Sequence, residues 1–190
     1  GAEAGCDLVV FPELALTTFF PRWFVGDRAE FDHFFETEMP GPETQPLFDE
    51  AVRLQVGFHL GYAELTPDGH HYNTAILVEP NGQIVARYRK VHLPGHEAHE
   101  PWRAFQHLER YYFEAGPSFD VHRAFGGLMG MAICNDRRWP ETYRVLGLQG
   151  CEMALIGYNP PTHYAPDPSQ DRLQGFHNHL VLQSGAYQNG

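Results

Sequence analysis

The sequence has few basic residues and little cysteine. Its 190 residues include 13 Lys and Arg against 24 Asp and Glu, which gives a formal net charge of −11. A chain this acidic repels a phosphate backbone, so we do not expect nucleic acid as a partner. The three cysteines are too few for the disulfide framework of a small secreted protein. We therefore expect free thiols in a reducing compartment, the cytoplasm by default.

Long apolar segments are missing as well. The sequence contains no run near the roughly 18–20 apolar residues that a membrane-spanning helix needs, and no signal peptide is recognisable. Neither an internal repeat nor a low-complexity tract occurs. Hydrophobic residues make up 43% of the chain and charged residues 19%, which is ordinary for a globular domain. We expect one domain over residues 1–190 and no membrane partner.

Short apolar runs that end at turn residues predict an α/β fold. Strands are predicted at residues 7–12, 56–65, 72–79, 84–88, 128–133 and 151–156. Helices are predicted at residues 43–55, 140–147 and 170–184. The composition of the first strand is that of a fully buried strand, and Asn81-Gly82 predicts one antiparallel hairpin. Residues 91–117 lack periodicity and are rich in histidine and aromatic residues, which favours an ordered, functional loop.

Three reactive side chains lie just after predicted strands: Glu13, Lys90 and Cys134. The carboxyl ends of strands are where ligands bind in open α/β sheets. A thiolate attacks a carbonyl carbon, and a nearby cation would lower the pKa of the thiol. A carboxylate can accept the proton and later activate water, while an ammonium stabilises the oxyanion. The three residues therefore form a workable set for acyl transfer.

The segments around these residues resemble the three signature segments of the nitrilase (carbon–nitrogen hydrolase) superfamily. They are residues 11–13 (Phe-Pro-Glu), 88–93 (Tyr-Arg-Lys-Val-His-Leu) and 133–137 (Ile-Cys-Asn-Asp-Arg). They occur in the superfamily's order and span essentially the whole chain. Within the superfamily, residues 11–23, 92–96 and 134–141 are most similar to the N-carbamoyl-D-amino acid amidohydrolases.

This resemblance implies a four-layer αββα sandwich, no cofactor and a homo-oligomer (dimer or tetramer) of the full-length protein. It implies Cys134 as nucleophile, Glu13 as general base and Lys90 as oxyanion stabiliser, with Glu109 as an additional active-site glutamate. The implied reaction is hydrolysis of an N-carbamoyl-D-amino acid to the D-amino acid, carbon dioxide and ammonia through a carbamoyl-cysteine intermediate.

The partner implied is a small-molecule N-carbamoyl amino acid, which carries a carboxylate. The candidate substrate-binding residues are all polar: His92, His107, Asn135, Arg137, Arg138 and Asn159. Guanidinium groups suit bidentate binding of a carboxylate, so Arg137 and Arg138 are the candidates for that group. The alternative is that one of the two arginines pairs with Asp136 or Glu141 and is purely structural.

Other interpretations stay open at this point. Closely spaced histidines could bind a metal ion: His92, His96, His99, His177 and His179. They match no closed zinc signature, so no metal is predicted. The enzyme could instead be another amidase, a ureidopropionase-like hydrolase or a nitrilase of the same superfamily.

The chain could also be an inactive piece of a longer protein. Residues 1–5 resemble the tail of a helix and residues 185–190 stop within a pattern, so we expect a fragment. The first strand–helix unit and the C-terminal strands of the family would then be missing, which would expose strand edges and apolar faces. Cys6 and Cys151 have no supporting context, and we expect them to pack rather than react.

Overall fold

The computed structural model describes residues 1–103, 106–165 and 167–190. Its strands are β1 (Leu8–Val10), β2 (Gly57–Leu65), β3 (His71–Val78), β4 (Ile84–Arg89), β5 (Val121–Ala124), β6 (Gly127–Ile133) and β7 (Met153–Gly157). The first sheet has the order β1-β2-β3-β4, in which β1 is parallel to β2 and the remaining pairs are antiparallel. The second sheet has the order β5-β6-β7, with β5 antiparallel and β7 parallel to β6.

The helices are α1 (Arg28–Asp32), α2 (Gln45–Leu54), α3 (Glu109–Tyr112), α4 (Pro140–Leu148) and α5 (Asp171–Asn189). Short 3₁₀ segments lie at Ala2–Ala4, Phe20–Arg22, Cys134–Arg138 and Pro168–Gln170. Within the described ranges, none of the helices is long and apolar enough to cross a membrane.

The chain is a four-layer αββα sandwich. The two sheets face each other, and side chains from both form the central core, including Leu77 and Tyr88 from the first sheet and Met131 and Ile133 from the second. Helix α2 covers the outer face of the first sheet through Phe48 and neighbouring apolar residues. Helix α4 covers the second sheet through Leu146, and α5 packs against α4. The α/β prediction and the sandwich implied by the resemblance are confirmed.

The predicted strands and long helices are confirmed with small shifts at their ends. The hairpin at Asn81-Gly82 joins β3 to β4, with Gly82 at a φ of 82°. A second hairpin, β5 to β6, was not predicted. Its turn residues Phe125 and Gly126 have φ values of 51° and 78°. Two-residue hairpins commonly need positive φ values at both positions, and the usual sequence for such a turn is Asn-Gly or Asp-Gly rather than Phe-Gly.

Two predictions about burial are wrong. The first strand is not fully buried, because β1 lies at the edge of its sheet and Val10 is 44% exposed. Cys6 is exposed rather than packed, whereas Cys151 packs against the central core as expected. The long loop at residues 91–117 contains the short helix α3, which is too brief for its periodicity to be recognised; residues 104 and 105 of this loop lie outside the described part of the chain.

Candidate active site

The fold brings the three reactive side chains to one end of the sandwich. Glu13 follows β1, Lys90 follows β4 and Cys134 follows β6. Glu13 and Lys90 therefore come from the first sheet, and Cys134 comes from the second. Glu13 and Lys90 are buried, at 1% and 0% exposure, while Cys134 is half-buried. Lys90 pairs with Glu13, and Glu13 and Cys134 line one cavity, so the structure groups the three residues that the sequence suggested as a set.

Lys90 lies between two buried carboxylates. Its Nζ donates to Glu13 Oε1 at 2.6 Å and to Glu109 Oε2 at 2.6 Å. The other oxygen of Glu109, Oε1, lies 2.8 Å from His107 Nε2. Glu109 is itself completely buried at the start of α3. This chain of contacts fixes the ammonium, and the third proton of Nζ has no hydrogen-bond partner among the residues that the structure describes.

Glu13 is held by a residue that the sequence did not single out. Asn73, on β3, donates from Nδ2 to Glu13 Oε1 at 2.8 Å. The loop that carries Glu13 also lies directly over Gly61 of β2, where an added Cβ would come within 3.0 Å of Glu13 Cα. Glycine is therefore required at this position for the close approach of the two backbones. Asn73 looked like an ordinary strand residue in the sequence, so no local signal could have identified it.

Cys134 sits in a sharp turn from β6 into the 3₁₀ segment Cys134–Arg138, and its φ is 45°. This left-handed conformation is unfavourable for a non-glycine residue and is common at functional sites. The following residues hold it in place. Arg137 Nη1 donates to the carbonyl oxygen of Cys134 at 2.5 Å and lies 3.8 Å from its Sγ.

Asp136 ties this turn to the rest of the site. Its Oδ2 accepts from the Ile133 backbone nitrogen at 2.9 Å and from the Tyr88 hydroxyl at 2.7 Å. Its Oδ1 accepts from the His92 backbone nitrogen at 2.9 Å and lies 3.0 Å from His92 Nδ1. Asp136 is fully buried. One carboxylate thus links the end of β6, the end of β4 and the loop that follows Lys90.

Burial and charge set the protonation states. Burial raises the pKa of Glu13, although Lys90 opposes this effect. Burial also disfavours the charged forms of Glu109 and Lys90, but here attraction wins: Lys90 and His107 hold the pKa of Glu109 low, and the two glutamates hold the pKa of Lys90 high. The site therefore contains a stable Lys90–Glu109 ion pair beside a more basic Glu13.

The expected lowering of the thiol pKa is wrong. Burial, followed by the charge of Glu13, raises the pKa of Cys134 to about 12, and the nearby Lys90 offsets only part of this rise. At neutral pH the resting group is a thiol. A nucleophilic attack by this thiol would require a base in contact with the sulfur to take its proton.

Cys134 opens into a cavity of about 510 Å³. Five of the sequence-predicted site residues line it: Glu13, His107, Cys134, Arg138 and Asn159. The other lining residues are Phe19, Arg22, Pro160, Pro161, Tyr164, Asp167, Gln170 and Gln174. They come from the segment after Glu13 and from the segment after β7, so strand-end position is the only sequence signal that pointed towards them.

The other candidate substrate-binding residues do not line this cavity. Arg137 is buried and donates from Nε to Asn178 Oδ1 at 2.9 Å, so its guanidinium is engaged by the protein. Asn135 donates to the His92 carbonyl oxygen at 3.0 Å, and both residues line a different cavity. The cavity wall thus brings together Glu13, Cys134 and Arg138. Lys90 is fully buried next to Glu13 and does not line the cavity, and neither do Arg137, Asn135 or His92.

The histidines do not form a metal centre in the described residues. Over residues 1–103, 106–165 and 167–190, no cluster of three or more His, Cys, Asp or Glu side chains is arranged to hold a metal ion. His99 instead stacks on Phe24 with ring centroids 4.1 Å apart.

Comparisons with known proteins identify relatives of this chain. It is 32% identical over 160 residues to an (R)-stereoselective amidase from Pseudomonas sp, a match that covers 84% of this chain and 51% of the relative. It is 26% identical over 186 residues to N-carbamoylputrescine amidase from Solanum tuberosum, covering 97% of this chain and 57% of the relative. The chain thus spans about half the length of the curated relatives it matches.

The fold has a counterpart among solved structures. The crystal structure of a carbon–nitrogen hydrolase from Helicobacter pylori G27 matches 98% of this chain and 59% of that chain, with a TM-score of 0.81 and 22% identity. A model of the carbon–nitrogen hydrolase family matches residues 1–190. Since that match includes every residue from the first to the last, the chain belongs to the carbon–nitrogen hydrolase family.

Proposed function

We propose that the chain carries the active site of a cysteine-dependent hydrolase that cleaves N-carbamoyl-D-amino acids. The observation that carries this proposal is the position of Arg138, which lines the same cavity as Cys134. A substrate with its reactive carbonyl at Cys134 can extend a carboxylate towards this guanidinium. Among the relatives, one is named for an N-carbamoyl substrate and another for (R)-stereoselectivity, which supports both the ureido group and the D configuration of the proposal.

In the first half of the proposed mechanism, Cys134 Sγ attacks the ureido carbon while its proton passes to Glu13. The oxyanion that develops accepts a hydrogen bond from the free proton of Lys90 Nζ. Glu13 then returns the proton to the leaving nitrogen, and the carbon–nitrogen bond breaks. The D-amino acid departs, and a carbamoyl group remains on the sulfur.

In the second half, Glu13 removes a proton from a water molecule, and the resulting hydroxide attacks the carbamoyl carbon. The carbon–sulfur bond breaks, and Cys134 takes the proton back from Glu13. The released carbamate decomposes to carbon dioxide and ammonia. Glu109 and His107 keep Lys90 in place through the 2.6 Å and 2.8 Å contacts described above, so Glu109 acts through Lys90 rather than on the substrate.

We expect the purified protein to release ammonia faster from N-carbamoyl-D-phenylalanine than from its L enantiomer, and Cys134→Ala to abolish both activities. Without the sulfur no carbamoyl intermediate can form, so turnover should fall by at least about 10⁴-fold. Ammonia release measures the effect, with aliphatic amides and nitriles as comparison substrates. Full turnover by Cys134→Ala would refute the mechanism, and a preference for the L enantiomer would refute the D assignment alone.

A second prediction concerns the substrate carboxylate. Arg138→Met should raise KM for the N-carbamoyl amino acid by about 10- to 100-fold, the value of a lost charge-assisted hydrogen bond. The carboxamide analogue of the same substrate, which has no carboxylate, should be turned over equally by the variant and the unmodified protein. An equal rise in KM for both substrates would mean that Arg138 supports the cavity wall and does not bind the carboxylate.

A further inference from the structure

The carboxylate of Glu13 is held by only one of its two oxygens. Oε1 accepts from Lys90 Nζ at 2.6 Å and from Asn73 Nδ2 at 2.8 Å. In the part of the chain that the structure describes, no hydrogen bond reaches Oε2. Glu13 lines the cavity that also contains Cys134. The two oxygens are therefore distinct, and Oε2 is the one available to take a proton.

Asn73 contacts both partners of this arrangement. Its side chain reaches Glu13, and its backbone carbonyl oxygen accepts from the Lys90 backbone nitrogen at 2.8 Å. An ionised carboxylate only accepts hydrogen bonds, so the amide must present its NH₂ group to Glu13. This leaves Asn73 Oδ1 buried and, among the described residues, without a hydrogen-bond partner. An orphaned buried acceptor is unfavourable, so packing alone would favour an apolar residue here.

We propose that Asn73 is a positioning residue for Glu13: it holds Oε1 against Lys90, so that Oε2 faces the Cys134 thiol. This inference rests on the proposed function, because it takes Glu13 to be the proton acceptor. In the attack step the S–H bond breaks, the sulfur bonds to the substrate carbon, and the proton moves to Oε2. The same oxygen then gives the proton to the leaving nitrogen. Without Asn73, the terminal torsion of Glu13 has a broad minimum and the carboxylate can rotate.

Asn73 also acts on the charge of Glu13. Burial raises the pKa of Glu13, the Glu109 charge raises it further, and the bonds from Lys90 and Asn73 oppose both effects. Cys134 lies in the same group and is a neutral thiol at neutral pH, as argued above. Removing the Asn73 amide therefore raises the pKa of Glu13, and the ionised base then forms only at higher pH.

The test compares Asn73→Leu with the unmodified protein. Leucine has the branched shape of asparagine with larger methyl groups, and it removes both the donor and the orphaned acceptor, so the melting temperature should change by only a few degrees; Asn73→Ala, which adds no volume, is the second variant. We expect kcat to fall about 10-fold with KM changed less than about twofold. The acid limb of the kcat/KM profile should move up by about half to one pH unit.

A second readout does not depend on any substrate. Iodoacetamide alkylation of Cys134, followed by mass spectrometry of its peptide from about pH 5 to about pH 9, reports the same base. Its acid limb should move up in Asn73→Leu and in Asn73→Ala. If the unmodified protein shows this limb but hydrolyses no N-carbamoyl amino acid, the proposed substrate is wrong and the role of Asn73 stands.

Thr74→Val is the matched control. Thr74 is the next residue on β3, equally buried, and donates to Glu64 Oε2 at 2.7 Å, away from the site. Thr74→Val should leave the acid limbs of the kcat/KM profile and of the alkylation profile unchanged. The inference is overturned if the folded Asn73 variants keep the acid limbs of the unmodified protein, or if Thr74→Val moves them by the same amount.

Discussion

Lys90→Met is expected to abolish turnover and to destabilise the fold by about 3–5 kcal/mol, the range for removing one partner of a buried ion pair. The ammonium has no exposure and separates two buried carboxylates at 2.6 Å each. Without it, Glu13 and Glu109 face each other with no compensating charge. In the proposed mechanism Lys90 is an oxyanion donor, and loss of that donor alone is expected to lower kcat by about 10²–10³-fold. Denaturant unfolding and ammonia release measure the two effects.

The stability loss should depend on pH in a defined direction. In the variant, burial and the charge of Glu109 raise the pKa of Glu13 without the opposing effect of Lys90, and the pKa of Glu109 rises because it loses the attraction of Lys90. When the pKa of a carboxyl group is raised in the folded state, the free energy of unfolding of the protein falls as the pH rises from the unfolded-state pKa towards the folded-state pKa. Lys90→Met should therefore be closest to the unmodified protein near about pH 4.5, and weakest at neutral pH.

Two controls make this prediction specific. The double variant Lys90→Met/Glu109→Gln leaves one buried carboxylate and should recover part of the lost stability while remaining inactive. Arg53→Met removes an exposed ion pair with Glu50 of the same 2.6 Å length, and such pairs contribute little because water screens them. If Lys90→Met were no less stable than Arg53→Met, the buried ion pair would not have the structural role argued above.

Asp136→Ala should be the second severe change. It removes the acceptor of a buried tyrosine hydroxyl and of two backbone N–H groups, and each unsatisfied donor costs about 1–3 kcal/mol. Burial and the charge of Asp136 raise the pKa of Tyr88 far above its usual range, so the phenol stays a donor. We expect a loss of about 4 kcal/mol or more in the free energy of unfolding. The variant should also lose activity, because the Ile133 bond closes the turn that precedes Cys134.

Asp136→Asn and Tyr88→Phe separate charge from connectivity. The asparagine keeps the shape but directs an NH₂ group at other donors, so it should still cost about 2–3 kcal/mol. Tyr88→Phe removes a single donor and should cost about 1 kcal/mol, with activity largely retained. Urea unfolding measures the series. An Asp136→Ala variant as stable as Tyr88→Phe would contradict the argument that this carboxylate holds Tyr88, His92 and Ile133 together.

The placement of the three reactive side chains followed from local sequence. Glu13, Lys90 and Cys134 lie just past apolar runs, and the ends of such strands meet in any sandwich of this type. The details did not follow, because they depend on pairing between distant residues. Asn73 reaches Glu13 only through the register of β3, which sets Asn73 opposite Ala63 on β2. No pattern within residues 72–79 distinguishes it from its neighbours.

The two arginines show the same limit over a shorter distance. In the sequence Arg137 and Arg138 looked equivalent, and both were candidates for the substrate carboxylate. The segment Cys134–Arg138 is a 3₁₀ turn, in which residues three apart lie on the same side. Arg137 therefore folds back onto Cys134, and Arg138 lines the cavity. The alternative that one arginine is structural matches this geometry, although its partners are Cys134 and Asn178 rather than Asp136 or Glu141.

The origin of the reactive groups on different sheets has a mechanical consequence. Glu13 and Lys90 follow strands of the first sheet and Cys134 follows a strand of the second, so their separation is set by the thickness of the core between the sheets. Residues such as Leu77 and Met131 do not line the cavity, but they fill the core between the sheets and so help to set the distance between Cys134 and the other two groups. Exchanges of these residues should be tolerated best when a second exchange keeps the total volume of the core. The packing of the apolar core thus determines how the groups of the candidate active site are aligned.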